Sequence, residues 1–260
     1  MKKFIIVSVA MLVLVGTGIA QTVPIVRKVV NATVSAVTQA PQASIAPPQK
    51  ELDIHAKETR FEFCQQLINN GVSQEAVNYV LGGTETEGKA NQLQANAFSY
   101  LLFADQMMVQ NKAESAPAEG EEQVKQAHLQ GRTVQDFVSL FSPIVLDKLQ
   151  VLNKEALIKQ IQQHFLKSGI VFSKQENIGL WQVFAQNELE VKSLHSAIVL
   201  QTQNNRFVAL HIQNNALQAM EFANTQDIVQ FMQAQAELQT QMPQTLIIVK
   251  NGEIMPTKPI

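Results

Sequence analysis

Five histidines and one cysteine are the residues of this 260-residue chain best suited to metal binding or nucleophilic chemistry: His55, His128, His164, His195, His211 and Cys64. A helical zinc site needs two histidines one turn apart, as in His-x-x-x-His or His-Glu-x-x-His. No two of the five have that spacing. His164 stands beside Phe165 near the expected C-terminus of a helix, where the helix dipole favours a cation, and its reading is structural. His211 falls on an apolar strand pattern and reads as a satisfied core or surface residue rather than a ligand. Cys64, between Phe63 and Gln65 on a helical pattern, reads as a small buried apolar residue. A lone cysteine forms no intramolecular disulfide, so stability must come from the core. There is no Gly-x-Ser-x-Gly elbow and no glycine-rich phosphate loop. Carboxylates such as Glu188, Glu190 and Asp227 are scattered. The chain therefore reads as a non-enzyme without cofactor or metal.

Composition narrows the partners. A net charge of -2 and a pI near 6.2 supply no positive field to gather phosphates, which argues against nucleic acid. Hydrophobic residues make up 46% and charged residues 16%, enough apolar material for a sizeable core. The 33 glutamines suit helix faces that stay soluble without charge.

Residues 1–28 read as a targeting segment. Lys2 and Lys3 precede the apolar run from Phe4 to Val15, and small residues follow to Ala20. Two fates are open: retention as a membrane helix, or cleavage near Ala20. Residues 29–50 are rich in Ala, Ser, Thr and Pro and read as a linker. Twenty extended residues reach roughly 60 Å, the spacing a tether needs, and retention is the reading adopted. The body is then expected in the periplasm of a bacterial cell, held at the inner membrane by one span. The alternative is a soluble periplasmic protein.

The elements that must position any site fall into two regions, and the fold class is α+β. Residues 51–168 read as helical. Helices are expected over Glu51–Asn70, from Ser73 to Leu81, over Ala90–Val109 and over Glu121–Gln130. Further ones are expected from the cap Thr133 to Phe141, from Ser142-Pro143, and from the cap Asn153 to Gly169. Residues 169–260 read as mixed. Strands are expected at 170–172, 180–184, 197–202 and 207–212, with a hairpin turn at Gln203–Arg206. Thr225 is expected to cap a helix to about Gln241. Asn251-Gly252 marks a closing hairpin, and Pro256 to Ile260 an extended tail.

Glu58-Thr59-Arg60-Phe61-Glu62-Phe63-Cys64, with the anchor and spacer before it, resembles the membrane-anchored steric chaperones of secreted bacterial enzymes. Those include lipase foldases and the chaperone of a type II-secreted protease. Arg60 directly precedes Phe61, unlike the foldase pattern, and the Leu-Ser-Ala-x-Gly-Glu continuation is absent. The resemblance implies a tethered chaperone that binds and stabilises a secreted client, such as a hydrolase, before export. Phe61 and Phe63 are then candidate anchors. Ile254, Met255, Pro256, Pro259 and Ile260 are candidates for an extended segment lying in a client's groove. The alternative function is a structural subunit of an envelope secretion, pilus or conjugation machine.

Overall fold

The computed structural model describes residues 50–82, 87–111, 116–148, 151–240 and 245–257. The expected membrane segment, the linker up to Gln49, and Pro259 and Ile260 lie outside these. Among the described residues no helix is long and apolar enough to cross a membrane.

In chain order the elements are β1 (Lys50–Leu52), α1 (Lys57–Asn69), α2 (Gln74–Leu81), α3 (Ala95–Phe103), β2 (Met107–Val109), α4 (Glu121–Ala127), α5 (Val134–Phe141), β3 (Ile144–Val145), α6 (Lys154–Ser168), β4 (Ile170–Phe172), β5 (Ile178–Asn187), β6 (Glu190–Gln201), β7 (Phe207–Gln213), β8 (Ala216–Phe222), α7 (Thr225–Glu237), β9 (Ile247–Lys250) and β10 (Glu253–Ile254). The fold is α+β, with seven α-helices among the described residues and one large antiparallel sheet.

Local signals set several boundaries. Ser73, Thr133 and Asn153 cap α2, α5 and α6, each side-chain oxygen accepting from the backbone N–H three residues on. Gly169 ends α6 in the left-handed conformation, φ 57°. For α7 the cap is Asn224, one residue before the expected Thr225.

The sheet order is β1-β8-β7-β6-β5-β9-β10, with β3 also paired to β6. Strands β5 to β8 form a meander of consecutive antiparallel neighbours. Asn214 and Asn215 have φ of 50° and 59°, as a two-residue hairpin whose twist matches its strands requires. Asn251 and Gly252, at 48° and 80°, close β9 on β10 in the same way.

Side chains alternate across the sheet, so its two faces bury different things. One face packs on α1 to α6: Leu180, Phe184, Ile198, Leu200, Val208 and Leu210 join Leu67, Val77, Phe98, Leu101, Phe137, Leu157 and Ile161 in one core. The helical region and the sheet thus share a core across the 168/169 boundary. The opposite face packs on α7: Trp181, Val183, Ala197, Val199 and Ala209 meet Ile228, Phe231 and Met232. Opposite β5, the pairing of Val183 with His195 and of Phe184 with Ser193 leaves Leu194 as an extra residue in β6. This bulge swaps the outlook of β6, placing Val191 in the helical core and Ala197 in the α7 core.

Four expectations are corrected. Residues 50–52 form a strand paired with β8, so the helix expected from Glu51 starts at Lys57. Met107–Val109 leave the expected helix and pair with β4. Ser142 is extended, its hydroxyl donates to the Ala116 carbonyl, and Ile144–Val145 pair with β6, so no helix starts at Pro143. Strand β8, of sequence ALQAMEF, was not expected at all. It is built from good helix formers that pair as a central strand between β1 and β7.

Candidate functional site

Helix α1 places Lys57, Arg60, Phe61 and Cys64 on one face, at the spacing of successive helical turns. Helix α2 faces them with Gln74 and Asn78. Between the two lies a cleft of about 260 Å3, which Gly82 also lines. Phe61 is 54% exposed at this cleft, an unusual placement for a large aromatic ring. Among the described residues the cleft's charged lining is Lys57 and Arg60, without a carboxylate. Neither cation makes an ion pair within the described residues. An apolar ring beside two unpaired cations suits a ligand bearing an apolar side chain next to a carboxylate.

Cys64 forms part of the cleft floor. It is buried, and its thiol faces the Gly82 carbonyl at 3.9 Å. Burial pushes its pKa up, and the opposing pull of Arg60 does not cancel this. The thiol therefore lacks the depressed pKa of a nucleophilic cysteine. Alkylation of Cys64 in the folded protein at pH 7.5 is expected to run at least about tenfold slower than in urea. Equal rates by mass-spectrometric labelling would show the thiol to be open and activated.

The other candidates from the sequence separate. Phe63 is 4% exposed and packs in the helical core, because it lies on the opposite side of α1 from Phe61, so it is no surface anchor. Ile254 pairs with Val249 in β10 and packs on the helical core, and Met255 packs on the α7 core. Both are half-buried against the protein itself rather than presented for a groove elsewhere. Pro256 is exposed, and Thr257 after it accepts a hydrogen bond from the Lys154 ammonium at 2.9 Å. The structure does not bring Phe61 and the tail into one site. Arg60 was visible in the sequence as part of the Arg-Phe motif. Lys57, Gln74 and Asn78 carry no signal of their own in the sequence, because only the pairing of α1 with α2 makes them neighbours.

A second feature lies under α7. His195 and His211 are fully buried, with ring centroids 5.3 Å apart, and Phe231 packs edge-on to His211 at 5.0 Å. Desolvation pushes His195 down to about 4. Desolvation and the neighbouring His195 push His211 down to about 3. His195 Nδ1 lies 3.5 Å from the Gln239 amide nitrogen. His195 Nε2 and both ring nitrogens of His211 have no partner among the described residues. His211 is thus a core residue, as its strand pattern suggested, but not a satisfied one. Among the described residues no cluster of three His, Cys, Asp or Glu is placed to hold a metal ion. His164 is held below the usual imidazole range by burial, which outweighs a backbone hydrogen bond at Ser139 that favours the charged ring; the neighbouring Lys167 adds to the lowering.

A third feature ties the helical layer together. The Arg132 guanidinium, 2% exposed, forms a two-pronged pair with the Asp105 carboxylate and also donates to the Leu101 and Gln130 carbonyls. The same carboxylate accepts from the Ser73 N–H at the cap of α2.

Residues 93–255 match a family described as a domain of unknown function, DUF4300, and the chain belongs to that family. No curated protein and no solved structure matches it. The matched span contains β2 to β10, α7 and the histidine pair, but not the edge strand β1, and begins after α2. The α1–α2 cleft is therefore contributed by the segment that precedes the matched span.

Proposed function

We propose that the protein is a tethered extracytoplasmic chaperone that captures a secreted client through the α1–α2 cleft. The observation that carries this reading is Phe61, exposed beside Lys57 and Arg60 at a cleft that no carboxylate of the described residues lines. Charge complementarity selects the occupant: a client segment whose apolar side chain packs on Phe61 while a neighbouring carboxylate meets the two cations. The basic start and apolar run of residues 1–28, followed by a segment rich in Ala, Ser, Thr and Pro, support placement of the body outside the cytoplasm.

The test uses the full chain in its native membranes, with a photo-crosslinking residue at position 61 or, as control, at Leu166, which is 78% exposed on α6. The expected result is one discrete adduct with a soluble secreted protein from position 61 and none from position 166. Identical adducts from both positions, or adducts confined to membrane-embedded assembly components, would overturn the chaperone reading.

A further inference from the structure

Next to the cleft, along α1, runs a groove of about 640 Å3. Helix α1 lines it with Gln65, Gln66, Asn69 and Asn70. The turn between β6 and β7 faces them with Gln203, Asn204 and Asn205. Among the described residues, Glu62 is the one charged residue in the lining. These two banks of amides are more than a hundred residues apart in sequence and meet only in the fold. Gln65, Asn69, Gln203 and Asn204 make no side-chain hydrogen bond within the described residues, so their donors and acceptors are free. Gln65 lines both the groove and the cleft, so the two lie side by side along α1.

Each side-chain amide offers two donors and an acceptor without charge. Opposed banks of them complement a ligand that is itself uncharged and alternates donors with acceptors. An extended polypeptide main chain has that character at every residue. A folded helix or central strand does not, because its main-chain groups are already paired. We infer that the groove binds an extended, unpaired stretch of client main chain, with little dependence on its sequence. This inference rests on the client-binding reading above and adds the form in which the client is recognised: Phe61 and the cations take a side chain, and the amides take the backbone beside it.

The test compares the full-chain protein with a variant carrying Asn69→Ala, Gln203→Ala and Asn204→Ala, three exposed positions that do not line the cleft. The probes are reduced, alkylated α-lactalbumin as an acidic unfolded chain, its disulfide-intact native form, and a neutral linear glucan oligosaccharide. Binding is read by fluorescence anisotropy. The unfolded chain is expected to bind, the native form not to, and the triple variant to bind at least about tenfold more weakly with an unchanged melting temperature. Equal binding by the triple variant, equal binding of native and unfolded forms, or binding of the glucan alone would overturn the inference. Crosslinking from position 61 separates the two readings: if it persists in the triple variant at full strength while the unfolded probe binds both proteins equally, client capture stands and the amide groove falls.

Discussion

Lowering the pH from 7 to 5 is expected to destabilise this protein steeply, through His195 and His211. Above the ordinary imidazole value of 6.5 both rings are neutral in the folded and the unfolded chain, and neither penalises folding. Below 6.5 the unfolded chain takes up protons that the buried rings refuse. Stability is then lost as the pH falls, until about 4 for His195 and about 3 for His211. Each histidine contributes a slope of up to about 1.4 kcal/mol per pH unit. Two together consume several kcal/mol, a large part of the ~5–15 kcal/mol that holds an ordinary domain folded. No carboxylate hydrogen-bonds or ion-pairs with either ring among the described residues, so nothing there offsets the cost. His164, also held low by burial, adds to the same trend. Urea midpoints between pH 7 and 5, where carboxylates titrate little, isolate the effect. The double variant His195→Leu, His211→Leu is expected to flatten the pH dependence over that range. A wild-type midpoint that is flat between pH 7 and 5, or a double variant with an unchanged slope, would show that the pair does not control acid stability.

The second large effect is expected at the Arg132–Asp105 pair. Asp105→Ala leaves a guanidinium that is 2% exposed without its counter-charge and takes the acceptor from the Ser73 N–H. Breaking a buried pair from one side typically costs ~3–5 kcal/mol, more than the pair contributes over an apolar replacement. Asp105→Ala is therefore expected to lower urea stability by about that amount. Combining it with Arg132→Met is expected to restore much of the loss, because the orphaned charge is gone. A loss below about 1 kcal/mol for Asp105→Ala would mean that solvent reaches the guanidinium once the carboxylate is removed.

Local chemistry made part of this fold legible. The caps Ser73, Thr133 and Asn153, the left-handed stop at Gly169 and the Asn251-Gly252 hairpin are each decided within a few residues. What was hidden depends on distant partners. Lys50–Leu52 become a strand only because β8 offers an edge some 170 residues later. Strand β8 itself is composed of Ala, Leu, Gln, Met and Glu and carries a helical bias that its neighbours β1 and β7 override. Ser142-Pro143 has the chemistry of a helix start, but Ser142 is drawn to Ala116 and the following residues to β6.

The candidate site divides in the same way. Arg60 and Phe61 were visible as a motif on one helix. The burial of Phe63 follows from which side of α1 meets the core, a choice that α1's weak apolar periodicity did not reveal. The amide groove could not be read at all, since its banks belong to α1 and to a hairpin turn more than a hundred residues on. In a chain with 33 glutamines, no single amide stands out in sequence. The pairing of Arg132 with Asp105, 27 residues apart, likewise appears only when α3 and the loop before α5 are brought together.

Client capture through the α1–α2 cleft is tested most directly by purifying the full chain from its native host, in wild-type form and as Arg60→Glu, Phe61→Asp. Co-purifying proteins are quantified by mass spectrometry, and circular dichroism establishes that both forms are folded. The expected result is one secreted protein near one-to-one with the wild type, reduced at least about tenfold in the variant. Equal recovery with both forms, or recovery of a set of inner-membrane components with either, would contradict it.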